Sequence, residues 1–557
     1  LAADQTSATV EMKFENPNNL QLLDVTIEEN DMSVVPGSWQ TSKEAGTGLT
    51  IAKFVATPNK AYESYKIENI IYTRDGITNV SKEISTKIKA TLYKSISTAD
   101  EWNDFFGPNG TGKVYTGQNV RITGNLDFSG KTAITDVIIG RFQSDAGASI
   151  ANLNITVGAN SGLIKEVKTT CANITVRNST ITTTGDYSGL ISILRAQMSN
   201  CTFDNVTINA NNHSYVGIVS RTISGSFSGI TLNKITINSA GSYVGTLCGQ
   251  TTSLGSSSSI TGTYIKVTAG GNYIGGIFGQ TQNSISNVFV YQYSKNGMQA
   301  GDTDTGYLVK GGAIVGGAIG EYNGSGSWLN TVEVTNSVIM GTGNYVGANC
   351  GNGSSTTTNM VSRNNVILGA GIVGGNNGQK GGWTGSNLTS ENNIIIATNN
   401  LTLCSNREEY KDKPVTGNNV GGNNGYSGWT TNYNLTSKNN YIRGIDYVGG
   451  NIGQVNYYNT SCENFVSGGT DQLISGRNCV GGSIGWTNAR AKILNVSDCQ
   501  ITATGNYAGG AIGHSEYTNT AISNSDNYTV RGVRVSNVTL RGGSYVGGAV
   551  GNQRGTI

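Results

Sequence analysis

Histidine, proline and charge are scarce. The chain holds two histidines, five prolines and 13% charged side chains in 557 residues, with a formal net charge of +2. So near-neutral a chain is poorly suited to nucleic acid or to an anionic membrane as its main partner. No run approaches the ~18 consecutive apolar residues of a membrane span. The eight cysteines form no Cys-x-x-Cys pair and no closely spaced set, which excludes zinc ribbons and thioredoxin-like redox chemistry. Neither a Gly-x-Ser-x-Gly elbow with a suitable histidine nor a phosphate-binding loop is visible, so no cofactor is expected.

Glycine is abundant instead, with 78 residues, about double the usual share of roughly 7%. It follows no three-residue period and proline is nearly missing, so collagen is excluded. Val, Ile and Tyr recur throughout at low charge, which argues against disorder. A long, glycine-punctuated, β-rich chain remains. It opens on Leu1 and closes just after a repeat, as expected of processed ends or of a segment of something longer.

Four of the five prolines (Pro17, Pro36, Pro58, Pro108) fall before residue 110. This first stretch alternates with a two-residue period, as in Val10-Glu11-Met12-Lys13-Phe14. The run Tyr65 to Tyr72 reaches Asp75-Gly76 and returns through Ile84, Ile88 and Leu92, which reads as a hairpin. Residues 1–95 are therefore expected to form an immunoglobulin-like antiparallel β-sandwich. Between 96 and 118, Thr98 and Glu101 fit a capping box, and Trp102, Phe105 and Phe106 share one helical face. Such a short helix suits a cap over the first coil of a repeat region.

From about residue 119 to 557 the chain repeats. A Tyr-Val-Gly-Gly-x-x-Gly phrase has its first glycine at Gly162, Gly189, Gly217, Gly245, Gly275, Gly316, Gly347, Gly374, Gly421, Gly449, Gly481, Gly509 and Gly547. The base interval is near 28 residues, with longer insertions, and short β-branched strands such as Asn173-Ile174-Thr175-Val176 lie between the phrases. That is the signature of a parallel β-solenoid, here of about 13 coils. The usual bias of parallel crossovers makes it a right-handed β-helix.

Reading down the columns, the residue two before the glycine is mostly Tyr (Tyr187, Tyr215, Tyr243, Tyr273), trading with Ile and Cys479, and is expected to face inward. Three after the glycine, Cys248 and Cys350 alternate with Phe278 and Ile319, so cysteine there serves as buried filler. Asn377 and Asn424 occupy this column in consecutive coils and are placed to form an amide ladder. The glycines themselves mark tight corners and close backbone approach.

Phrases such as Gly271-Asn272-Tyr273-Ile274-Gly275-Gly276-Ile277-Phe278-Gly279 resemble GLUG motifs. These occur in bacterial surface proteins, including immunoglobulin-A-protease-type metallopeptidases and filamentous-haemagglutinin-like adhesins. The segments Tyr65-Lys66-Ile67, Trp102-Asn103, Asn125-Leu126-Asp127 and Val137 to Phe142 also resemble the non-catalytic N-terminal region of those peptidases. The resemblance implies a secreted bacterial protein at the cell surface. The peptidases' His-Glu-x-x-His motif is missing, since neither His213 nor His514 is followed by Glu. No catalytic or metal-binding residue is expected, and the chain is read as a non-enzyme.

Recognition has two candidate carriers. One is the set of insertions at 293–307, 406–413 and 515–528, of which Tyr410 is a candidate contact; solenoid insertions often gather on one binding face. Asp302-Thr303-Asp304 within the first resembles a calcium loop but lacks the later acidic ligand. The other is Trp328, Trp383, Trp429 and Trp486, each shortly after a glycine phrase, as in an aromatic stripe that stacks on sugar rings. Cys171 and Cys201, about one coil apart, are the candidate disulfide. The sequence thus leads to an extracellular structural or adhesive rod that displays loops. Its partners would be a host or polysaccharide surface, or copies of itself joined through solenoid ends or the N-terminal domain into a filament. A carbohydrate-binding or carbohydrate-cleaving β-helix is the alternative.

Overall fold

A computed structural model describes residues 8–14, 26–27, 32–35, 38, 40–58, 65–66, 69–74, 78–83, 87–88, 94–110, 117–252, 255–291, 308–404, 407–457, 460–516 and 530–554. The chain divides into two compact units, Leu1–Leu126 with Val137–Ser149, and Asp127–Asp136 with Ile150–Ile557.

In the first unit the early strands are antiparallel. Ala8–Phe14 runs along one edge of Thr50–Pro58, and Met32–Val34 and Gln40–Lys43 run along the other. The expected hairpin pairs Asn69–Arg74 with Thr78–Glu83, its turn residues lying outside the described set. Parallel pairing starts earlier than the glycine phrases: Lys94–Ile96 pairs with Gln118–Ile122, which pairs with Val137–Ser144. Helix α1, Ala99–Phe106, leaves the first of these strands. Thr98 caps it by accepting from the Glu101 amide at 3.2 Å, and the Glu101 carboxylate accepts from the Ser97 amide at 2.6 Å. Its apolar face is buried, with the Trp102 ring 4.7 Å from Phe106 and 6.5 Å from Phe142 of the parallel strands.

The second unit is a parallel β-solenoid. About 14 turns of parallel solenoid are formed along the chain, against about 13 expected. Strand follows strand in register: Val338–Gly341 on Val366–Gly369, and that on Ile394–Ala397. A typical coil places short strands at Tyr345–Gly347, Cys350–Gly353, Thr356–Arg363 and Val366–Gly369.

Columns of left-handed residues recur along the coils. One runs through Asn359, Asn387, Asn434 and Asn464, another through Asn336, Asn364, Asn392 and Asn439, all with φ between +51° and +60°. Asparagine is the side chain that best tolerates this region, so its frequency follows from the geometry. The tyrosine column sits at a further such position, Tyr187, Tyr215, Tyr243 and Tyr273 having φ of 58° to 62°. This corrects the expected orientation. The tyrosines are half-buried, and the inward column is the next residue, with Val216, Val244 and Ile274 fully buried. A left-handed residue breaks strand alternation, which moves the inward position on by one. Each such backbone costs about 1–2 kcal/mol, and the rings offset part of it by stacking 4.0, 4.4 and 4.7 Å apart.

The paired glycines serve close approach between coils. A Cβ on Gly374 would lie 1.8 Å from the Asn377 carbonyl oxygen and 2.7 Å from the Gly425 amide of the next coil. Beside them the core turns polar. Asn376, Asn423 and Asn451 are fully buried, and each donates to the next, Asn376 to Asn423 at 2.6 Å and Asn423 to Asn451 at 2.8 Å. Their second N–H groups cross the core to the carbonyls of Thr389, Thr436 and Val466, each at 2.9 Å. The expected pair is present alongside, Asn377 donating to Asn424 at 2.9 Å.

Replacing Asn423 by Ala strips partners from Asn376, Asn451 and the Thr436 carbonyl at once. We expect about 2–4 kcal/mol of destabilisation from the stranded buried groups, read as a lower urea midpoint. Asn434→Gly, on the exposed ladder at a left-handed residue that glycine accepts, is expected to cost about 1 kcal/mol or less. Equal losses would show that the buried ladder is not an anchor.

Candidate functional site

The four tryptophans do not form one stripe. Trp328 opens the strand Trp328–Thr335 and lies in register with Thr356 of the next coil. Trp383 immediately precedes Thr384, which pairs with Thr431 one coil further on. Trp429 lies two residues before that threonine. The three thus stay within two positions of one register column, although their distances from the glycine differ; insertions within each coil blur those offsets. Trp328 is 40% exposed, Trp383 73% and Trp429 69%. Trp328 and Trp383 share an open groove of about 490 Å³ with Gly326, Ser327, Asn330, Ser355, Thr356 and Thr358.

Trp429 continues the row and is held by a face-to-face stack on Tyr457, with centroids 4.5 Å apart and planes 12° off parallel. Its φ of 61° is left-handed, where the same position one coil earlier is Gly382, at φ 77°. The Thr430 hydroxyl donates to the Gly382 carbonyl and clamps the two turns together. Trp486 belongs elsewhere, in the column of Gln454 and His514, its ring edge-on to Tyr447 at 6.2 Å.

A file of exposed amides flanks the row. Asn359 donates to Asn330 at 2.8 Å, Asn387 to Asn359 at 3.0 Å, Asn434 to Asn387 at 2.9 Å and Asn464 to Asn434 at 2.7 Å. Each asparagine uses one N–H this way and keeps further donor and acceptor capacity facing outward. Nothing in the spacing of single residues pointed to Tyr457 or to this file; the strand register places them beside the tryptophans.

Tyr410, expected at the surface, is fully buried. The insertion carrying it, a short 3-10 turn at Glu408–Asp412, folds back onto the solenoid. Tyr410 packs into a cluster with Met340, Val366, Leu368, Ile394, Ile396 and Tyr441. Its hydroxyl accepts from the Cys404 amide at 3.2 Å, and Arg407 ties the turn to the Asn439 and Asp471 carbonyls at 2.9 and 2.8 Å. Tyr410 is an anchor, not a contact. Residues 293–307, with the Asp302-Thr303-Asp304 run, fall outside the described set, as does 517–528 of the third insertion.

Cys171 and Cys201 are free buried thiols, so the expected disulfide is not formed. Cys171 pairs in register with Met198, and Cys201 comes three residues later, after the left-handed Asn200. The Cys201 thiol donates to the Ser199 carbonyl at 3.3 Å. A hydrogen bond with Cys201, together with burial, pushes the Cys171 thiol up and away from nucleophilic use. Burial likewise holds Cys350 up to about 12, as expected of filler. Among the described residues, no three His, Cys, Asp or Glu side chains gather as for a metal ion. No described helix is long and apolar enough to cross a membrane.

Behind the groove lies a group the sequence did not flag. Lys380 is fully buried, its ammonium donating to the carbonyls of Ser355 and Gly381, the latter at 2.8 Å. Burial pulls its pKa down to about 7.

Compared with protein-family models, curated proteins and solved structures, the chain matches none. The class defined by its coordinates is that of the parallel β-solenoids.

Two outcomes are expected of single substitutions. Tyr410→Ala removes the ring that pins the insertion, and trypsin should then cut at Arg407 and Lys411 about tenfold faster, with the far coils unaffected. Lys380 holds its proton to about pH 10.5 when unfolded and only to about 7 when folded, so its contribution makes stability rise across that window. Lys380→Met should therefore stabilise the fold most below pH 7, by about 1–3 kcal/mol. The gain, read as a higher melting temperature, should shrink toward pH 10.5. A pH-independent difference would contradict the buried cation.

Proposed function

We propose that the chain is an extracellular scaffold of a bacterial surface, a stiff β-solenoid that holds side-chain rows and insertions at fixed spacing. The observation that carries this reading is the in-register stacking of side-chain columns over successive coils. Tyrosines stack at one column and asparagines bond at others, each coil setting the position of the next. Such stacking suits a part whose task is to keep geometry. The polar, nearly neutral composition agrees with exposure to solvent on all sides, and the resemblance to GLUG-motif surface proteins supports a place outside the cell. The structural role has two forms, a single rod and a polymer of rods.

Immunogold labelling of the cells that make the protein tests the location. Label on the outer surface or on extracellular fibres is expected, and label confined to the cytosol would overturn the proposal. Electron microscopy of the purified chain across a concentration series separates the two forms. Particles of constant length at every concentration identify a rod, and filaments that lengthen with concentration identify a polymer.

A further inference from the structure

We propose that the row Trp328–Trp383–Trp429 is a binding site for an extended, uncharged polysaccharide lying along the solenoid axis. This goes beyond the scaffold reading and holds for a rod or a polymer alike.

Three observations converge on that ligand. The first is that Trp429 is exposed at a cost. Trp429 occupies a left-handed backbone where the preceding coil has glycine, and a bulky side chain is poorly suited to that region. The Tyr457 stack then fixes the Trp429 ring. A ring placed this way, 69% exposed, adds nothing to the core. Tyr457 covers one face of Trp429, which leaves the other for the apolar face of a pyranose ring.

The second is spacing. Coils are about 4.8 Å apart, close to the length of one sugar in an extended chain. Trp328 and Trp383 are two coils apart, about 10 Å, and Trp429 lies one coil beyond Trp383. A glycan running along the axis therefore advances about one sugar per coil. It meets Trp328 with its first ring, Trp383 with its third and Trp429 with its fourth. The repeat of a linear glycan matches this period.

The third is polarity. None of the eight residues lining the groove is charged, and Asn330, Thr356 and Thr358 bring an amide and hydroxyls to it, the Ser327 and Ser355 hydroxyls being buried on backbone carbonyls. The ladder from Asn330 to Asn464 runs parallel to the indoles and presents one amide per coil at Asn359, Asn387 and Asn434. Uncharged donors and acceptors repeated once per sugar match ring hydroxyls. They offer nothing to pair with the carboxylates of a uronic-acid polymer.

The test is isothermal titration of the whole chain with neutral oligosaccharides of two to six units: β-1,4-glucose, β-1,3-glucose, β-1,4-mannose and β-1,4-N-acetylglucosamine. Oligogalacturonate serves as the charged comparison. At least one neutral series is expected to bind, with affinity rising up to four sugars and levelling off. Trp383→Ala and Trp429→Ala should each weaken binding about fivefold to thirtyfold, the burial of one ring face being lost. Trp486→Ala, in another column, should leave it unchanged. Both substituted rings are exposed, so an unchanged melting temperature verifies the fold. Failure of all four neutral series to bind overturns the proposal. So does binding that survives the double substitution Trp383→Ala with Trp429→Ala, or binding of oligogalacturonate alone.

Discussion

Each coil of the solenoid hydrogen-bonds to the coil before it, in register, and the rest of the structure depends on that pairing. Residues at equivalent positions must sit about 4.8 Å apart on top of one another. Whatever a column contains has to tolerate its own kind at that distance. Tyrosines do so by stacking, asparagines by donating each amide to the asparagine of a neighbouring coil, valines and isoleucines by packing. Charged residues repel in such a column, which accounts for their scarcity. Opposite charges do meet in register, as in Arg363, Glu391 and Lys438 on three successive coils.

The same constraint explains why a buried polar core is stable here. An isolated buried amide costs about 1–3 kcal/mol for each unmet bond. Within a column every asparagine has a neighbour above and below that supplies the missing partner. A second network shows this on another face: the backbone amides of Ser337, Asn365 and Asn393 donate to the side chains of Asn365, Asn393 and Asn440, each at 2.8 Å. Only the ends of such a ladder carry a penalty, so lengthening it costs little.

What depended on period was legible in the sequence. The interval near 28 residues gave the coil, and two asparagines one coil apart gave their ladder. Cysteines trading with Phe and Ile marked buried filler, and Thr98 with Glu101 marked α1. What depended on the path between repeats was not. The tyrosines were expected to face inward because a left-handed residue, invisible in composition, shifts alternation by one. Tyr410 could not be placed, since its pocket is assembled from Leu368, Ile396 and Tyr441, which come from three different coils. Distances from the glycine scattered the tryptophans that strand register brings together.

The direction of the hydrogen bonds has a mechanical meaning. In a parallel solenoid they point along the axis while the covalent chain winds around it, so tension on the two ends of the coil stack is borne by the weaker bonds. Coils at an end then peel away singly, because each is bonded mainly to its neighbours. A coil of about 28 residues releases roughly 90 Å of slack as it opens. The solenoid would yield to a pull in discrete steps, one coil at a time, each opened coil lengthening many times over.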